Sequence, residues 1–159
     1  MIRGWTEADA AASYAVYVEA VRNGTSALYD AAQRLAWVPD EAMEDWWLPR
    51  LANDSAWVAE DATAMTGVIA LRPDGYLDLF FVVPHARGDG TAAALYDTLL
   101  AEARATGLAS LTAHASDYLK PFLERRGWRV IAEENVARNG ATLRRWEMAL
   151  DQVPGSQVS

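Results

Sequence analysis

The chain has 159 residues, no cysteine, and 14 Lys plus Arg against 22 Asp plus Glu, a formal net charge of −8. The missing cysteine excludes a disulfide scaffold, a thiolate-ligated zinc site and a cysteine nucleophile. The acidic balance argues against nucleic acid and anionic membrane as partners. With 52% hydrophobic and 23% charged residues, the chain is expected to form one soluble domain over residues 1–150, followed by a loose polar tail at 151–159. The longest apolar run, residues 77–83, carries Asp78 and falls far short of the roughly 20 residues of a membrane span. No basic region followed by an apolar core opens the chain, so the expected location is cytoplasmic.

Taken in order, Thr6 can cap a helix over residues 8–21, which Asn23-Gly24 stops. A second helix is expected over 27–37, ending before Pro39. A third, over 41–51, carries Trp46, Trp47, Leu48 and Leu51 on one face. From residue 56 the pattern turns β-branched and aromatic, predicting strands at 57–59, 66–71 and 76–83. Pro73-Asp74-Gly75 joins the last two as an antiparallel hairpin. A helix at 91–105 ends at Gly107, a strand follows at 108–113, and a short helix at 122–126 is closed by Gly127. Strands at 128–137 and 142–150 flank Asn139-Gly140, the strongest short hairpin signal. The expected fold is α/β (α+β), a mixed, mostly antiparallel central sheet flanked by helices and ending in a β-hairpin.

The segment after the central strand carries the chemistry. An apolar strand ends at Pro84, and Arg87-Gly88-Asp89-Gly90 precedes a helix. Glycines there let the backbone approach a ligand, and the free amides of the helix start attract phosphate. A loop that only needs positive φ explains the same residues. Gly88, Gly90 and Ala93 also satisfy a dinucleotide fingerprint, but no acid lies near Ser110, where that motif needs one. Arg87-Gly88-Asp89 is formally a cell-adhesion tripeptide, with nothing else to suggest secretion.

The run Val82-Val83-Pro84-His85-Ala86-Arg87-Gly88-Asp89-Gly90-Thr91-Ala92, with Leu95, Leu99 and Leu100, resembles the acetyl-CoA site of the GNAT N-acetyltransferase superfamily. That pattern is a V-x-P strand end, R/Q-x-x-G-x-G/A, then a leucine-bearing helix. Ala115-Ser116-Asp117-Tyr118-Leu119-Lys120-Pro121-Phe122-Leu123-Glu124-Arg125-Arg126-Gly127-Trp128 resembles the later block of the same superfamily, at the expected distance. The resemblance covers residues 1–150. It implies that Phe81 and Val82 pair with the pantetheine arm, that backbone amides of Arg87, Gly88, Asp89, Gly90, Thr91 and Ala92 cradle the pyrophosphate, and that Ser116 caps the next helix and touches the cofactor. It implies acetyl-CoA as co-substrate, no metal, and a family habit of pairing into homodimers.

An ammonium cannot attack a thioester, so a base is needed. Asp78, an acid within an apolar strand, is the candidate. The family's usual acid, a Tyr, is replaced by Leu123, and Tyr118 is the nearest substitute. The acceptor pocket is expected from Tyr29, Trp37, Trp46, Trp47 and His114, favouring an apolar or cationic amine. His85 is expected in solvent. The two histidines, His85 and His114, show no metal-ligand spacing. The resulting reading is N-acetylation of a small-molecule primary amine, with a peptide or protein amine, or a CoA-binding protein of little turnover, as alternatives.

Overall fold

The computed structural model describes residues 1–155. Strands β1 (Ile2–Gly4), β2 (Ser55–Glu60), β3 (Met65–Leu71), β4 (Tyr76–Val82), β5 (Leu111–Ala115), β6 (Arg129–Arg138) and β7 (Ala141–Leu150) form one sheet in the order β1-β2-β3-β4-β5-β7-β6. Only β4 and β5 run parallel; all other neighbours are antiparallel. The helices are α1 (Ala10–Arg22), α2 (Ala31–Trp37), α3 (Trp47–Asn53), α4 (Thr91–Ala105) and α5 (Leu119–Glu124).

Both predicted hairpins form. Gly75 (φ +92°) turns β3 into β4, and Asn139 and Gly140, at φ +50° and +85°, make the two-residue turn whose twist matches β6 and β7. Strand β3 is buried at every position from Thr66 to Leu71. Successive strand residues face opposite ways, so a layer must cover each side. Helix α4 packs on the Gly67 side, where a Cβ would meet Leu95, and α1 covers the other.

Several ends differ from the sequence expectation, each for a local reason. Strand β1 was unexpected and pairs with β2. Helix α2 starts at Ala31 rather than 27, because the Asp30 carboxylate accepts the Gln33 amide at 2.7 Å while the Gln33 side chain accepts the Asp30 amide at 2.9 Å. Residues 41–46 are not helical. There the Asp40 carboxylate takes the Ala42 amide at 2.9 Å, a side-chain bond that competes with a helix. Strand β5 starts at Leu111 rather than 108, since the Leu108 amide is spent closing α4 onto Ala103 O at 2.9 Å, behind Gly107 at φ +78°. Helix α5 starts at Leu119 rather than 122, with Pro121 in its first turn, where no amide donor is needed. The tail expected to be loose is docked as far as it is described. Val153 is buried and its amide donates to Ala109 O at 2.7 Å, while Arg104 donates to Pro154 O at 3.1 Å. Residues 156–159 lie outside the described part.

One feature of the sheet positions everything that follows. Strands β4 and β5 share only the pairs Tyr76↔Thr112 and Leu77↔Ala113. From Asp78 onward the two strands part, and β4 keeps a ladder only with β3.

Candidate functional site

Two clefts meet at that gap, and a third, about 500 Å³, opens beside them among Arg50, Asn53, Asp54, Arg72, Tyr76, Asp78 and His114. The larger of the two that meet, about 470 Å³, is lined by Phe81, Val82, Arg87, Gly88, Gly90, Ala92, Ser116 and Tyr118, all singled out in the sequence. Gly88 and Gly90 adopt φ +85° and +91°, and a Cβ on either would meet nothing within 4 Å, so the turn presents bare backbone to open space. Ala92 and Ala93 lie in the first turn of α4, where amides have no intrahelical acceptor.

Two residues of that turn do not line the cleft. The Asp89 carboxylate accepts the Thr91 amide at 3.0 Å and its hydroxyl at 2.6 Å. That side chain holds the start of the helix, so the Thr91 amide is already engaged, which corrects the expectation that it is free for a ligand. The Arg87 guanidinium also faces the protein. It donates to Gly24 O, to Ala20 O at 3.2 Å and to Val82 O at 3.3 Å, and lies 5.4 Å from the Tyr118 ring. Ser116 Oγ accepts the Leu119 amide at 3.1 Å, capping α5 as expected. The Tyr118 hydroxyl accepts the Ala27 amide at 3.2 Å. Leu123 is fully buried and reaches neither cleft.

The smaller cleft, about 200 Å³, contains the expected Tyr29, Trp37, Trp46, Asp78 and His114. Trp37, Phe81 and Ser116 line both clefts, so the two meet at the parting of β4 and β5. Trp47 is a correction. It is wholly buried, stacked on Tyr17 at 5.2 Å, with Nε1 donating to Ser13 Oγ at 3.1 Å, and it belongs to the core under α1. His85 is exposed, as expected.

The sequence reading missed Arg50, Tyr76, Arg138, Arg144 and Arg145 in this cleft. A signal existed for some of them. In β6, exposure alternates so that Ala132, Glu134 and Val136 turn inward, and Arg138 continues the same face.

Asp78 is almost completely covered and held by Arg50 at two points, Nε to Oδ2 at 2.9 Å and Nη2 to Oδ1 at 2.5 Å. Asp54 Oδ2 is buried with no donor facing it. Burial and the neighbouring Asp78 push the Asp54 carboxyl up to about 8, so it keeps a proton to share with Asp78. Burial pushes Asp78 up too, but hydrogen bonds from Arg50 and Asp54 outweigh it and hold Asp78 below the ordinary aspartate range. Beside this group the Tyr76 hydroxyl lies 2.7 Å from His114 Nδ1, and His114 Nε2 lies 3.3 Å from Glu134 Oε1. Ligand atoms of His114, Glu134 and Glu147 come within 4.8 Å of one another, a juxtaposition the linear spacing conceals. Glu134 already accepts from Arg145 at 2.9 Å and Tyr76 occupies Nδ1, so the group is wired as a hydrogen-bond chain.

Among the described residues no helix is long and apolar enough to cross a membrane. A family model described as an acetyltransferase (GNAT) domain matches residues 31–150. The uncharacterized N-acetyltransferase YafP of Escherichia coli (strain K12) is 33% identical over 141 residues, 88% of each chain. A crystal structure from Rhodopseudomonas palustris, described as a GCN5-related N-acetyltransferase and class-II aminotransferase, superposes with a TM-score of 0.85 at 28% identity, over 95% of this chain and 94% of that one. The Salmonella typhimurium protein yncA, solved with its cofactor acetyl-CoA, shares the fold with a TM-score of 0.66 at 22% identity, over 100% of this chain and 96% of that one.

Proposed function

Because the chain belongs to the GNAT family of acetyltransferases, we propose that it moves the acetyl group of acetyl-CoA to the primary amine of a small molecule by direct attack in a ternary complex. One observation carries this reading: two clefts of different character meet at Phe81, Trp37 and Ser116, where β4 turns an unpaired backbone edge to the gap. A donor entering past the glycine turn and an acceptor entering past Trp46 would meet there.

The larger cleft fits the donor. Phe81 and Val82 offer the free edge of β4 to the pantetheine arm as an added strand would be bound. Gly88, Gly90, Ala92 and Ala93 offer backbone amides and the positive end of α4 to the pyrophosphate. The smaller cleft suits a small acceptor, because the β6–β7 tip is tied down over it. Asn139 Nδ2 donates to Ala36 O at 2.7 Å and Gln33 Nε2 to Thr142 O at 3.1 Å.

In the transfer the ammonium first gives up one proton; the amine nitrogen then forms a bond to the acetyl carbon, the carbon–sulfur bond breaks, a second proton leaves nitrogen for solvent and one reaches sulfur. Asp78, its side chain covered and both its oxygens taken by Arg50, is too weak a base to take the first proton. The Tyr76–His114–Glu134 chain takes it, with Tyr76 oxygen as the contact atom and the imidazolium stabilised by Glu134. Tyr118, whose oxygen receives the Ala27 amide, keeps its own O–H free to protonate the thiolate.

The test is calorimetric titration with acetyl-CoA beside NADH, on the native chain and on Gly90→Glu. Micromolar binding of acetyl-CoA that Gly90→Glu abolishes, with no NADH binding, is the expected result. A folded native protein that ignores acetyl-CoA would end this reading. Binding without turnover on any amine would favour a CoA-binding protein, an alternative that the buried Leu123 at the family's Tyr position keeps in view.

A further inference from the structure

The acceptor cleft has the opposite electrostatic character from the chain as a whole. The protein carries −8, yet four arginines, Arg50, Arg138, Arg144 and Arg145, line this cleft against a single carboxylate, Asp78. Net charge does not decide the matter, since exposed charges beyond a Debye length of about 8 Å are largely screened. What counts is which of these groups is already paired.

Three arginines are. Arg50 holds Asp78, Arg144 holds Asp117 at 3.0 and 3.1 Å, and Arg145 holds Glu134 at 2.9 Å. Arg138 has no ion pair and no hydrogen bond among the described residues. Arg138 is the last residue of β6, and the next residue, Asn139, anchors the turn to α2 through Ala36 O. The guanidinium is thus exposed and without a protein partner among the described residues, yet carried on a fixed strand end.

Resting on the reading above, we propose that the acceptor amine carries an anionic group, a carboxylate or a phosphoryl-type anion, which Arg138 binds. The Tyr76 hydroxyl then meets the amine end and Arg138 the acid end, while Trp37 and Trp46 line the same cleft. A guanidinium pairs two oxygens of such a group at once, which gives orientation as well as attraction. This replaces the expectation of a cationic acceptor: the second ammonium of a diamine would find no free carboxylate here and would meet Arg138 instead.

The experiment compares matched acceptors under saturating acetyl-CoA, after acetyl-CoA binding has been established by calorimetry. Amino acids with aromatic, aliphatic and polar side chains are set against their amides, their decarboxylated amines and the corresponding aminophosphonates. At least one acid should exceed its own amide by about tenfold in kcat/KM, equivalent to about 1.4 kcal/mol. Arg138→Gln should bring that ratio to within about twofold through KM rather than kcat. Preference for the phosphonate over the carboxylate would identify the phosphoryl-type anion as the group bound. Amides or simple amines used as well as acids, or an unchanged ratio in Arg138→Gln, would overturn the proposal. If no member of the panel turns over, the CoA-saturated protein is titrated with the N-acetyl acids and N-acetyl amides, and equal or absent binding of the acids overturns it. Absence of acetyl-CoA binding is a separate result, seen first, and removes the parent reading.

Discussion

Arg50 reaches from α3 to grip both oxygens of Asp78 on β4, and so joins the helical N-terminal region to the strand that borders both clefts. A carboxylate held in this way already has its cation and is a poor acceptor for a proton. Asp78→Asn should therefore change kcat and KM for the amine by no more than about threefold, while acetyl-CoA affinity is kept. A collapse of kcat at unchanged KM would return the role of base to Asp78. Steady-state kinetics in both substrates decides between them.

The chain from Tyr76 through His114 to Glu134 makes a different kinetic prediction. A positioned proton acceptor contributes on the order of a hundredfold or more. His114→Gln should lower kcat by that amount, while acetyl-CoA affinity is kept. Tyr76→Phe should show a partial loss, because the contact atom goes while the imidazole stays. A kcat in His114→Gln within about twofold of the native value would exclude the relay.

Asp54 predicts a pH dependence of stability. Its carboxyl titrates at about 8 in the folded chain, pushed up first by burial and then by Asp78, and in the usual aspartate range when unfolded. Between those values the native state holds a proton that the unfolded state has released, so raising the pH favours unfolding. The native chain should lose thermal stability from about pH 4 to about pH 8, and Asp54→Asn, neutral throughout, should flatten that slope. Tm measured across the range checks the sign directly.

Trp46 and Trp47 are adjacent yet should fail differently. Trp47→Ala empties a site that is fully buried between Tyr14, Tyr17 and Ser13, and should cost about 3–5 kcal/mol in denaturant unfolding. Trp46→Ala, on the cleft wall, should act mainly on KM for the amine.

The architecture was legible wherever local chemistry settles a backbone shape. Pro73-Asp74-Gly75 and Asn139-Gly140 dictated their hairpins, and Gly88 and Gly90 took the positive φ that no side chain favours. The donor side of the site was legible for the same reason, because it is built from consecutive residues. The acceptor side is assembled from α2, α3, β4, β5 and the final hairpin, so its pairings depend on register. Nothing in the linear chain says that Arg145 neutralises Glu134 while Arg138 stays free, or that Trp47 turns inward and Trp46 outward. Likewise, whether Asp89 contacts a ligand or caps α4 depends on a single side-chain bond to Thr91.

The two-pair ladder between β4 and β5 makes a mechanical seam. On one side lie four strands, on the other three, and backbone bonding across the line stops at Leu77 and Ala113. The part of the sheet beyond that point resembles an unfastened zip, whose missing teeth are what a strand-like guest would supply. Occupancy would then stiffen the whole molecule by closing the sheet across its weakest line, and amides along the far end of β4 should be the first to slow their exchange with solvent.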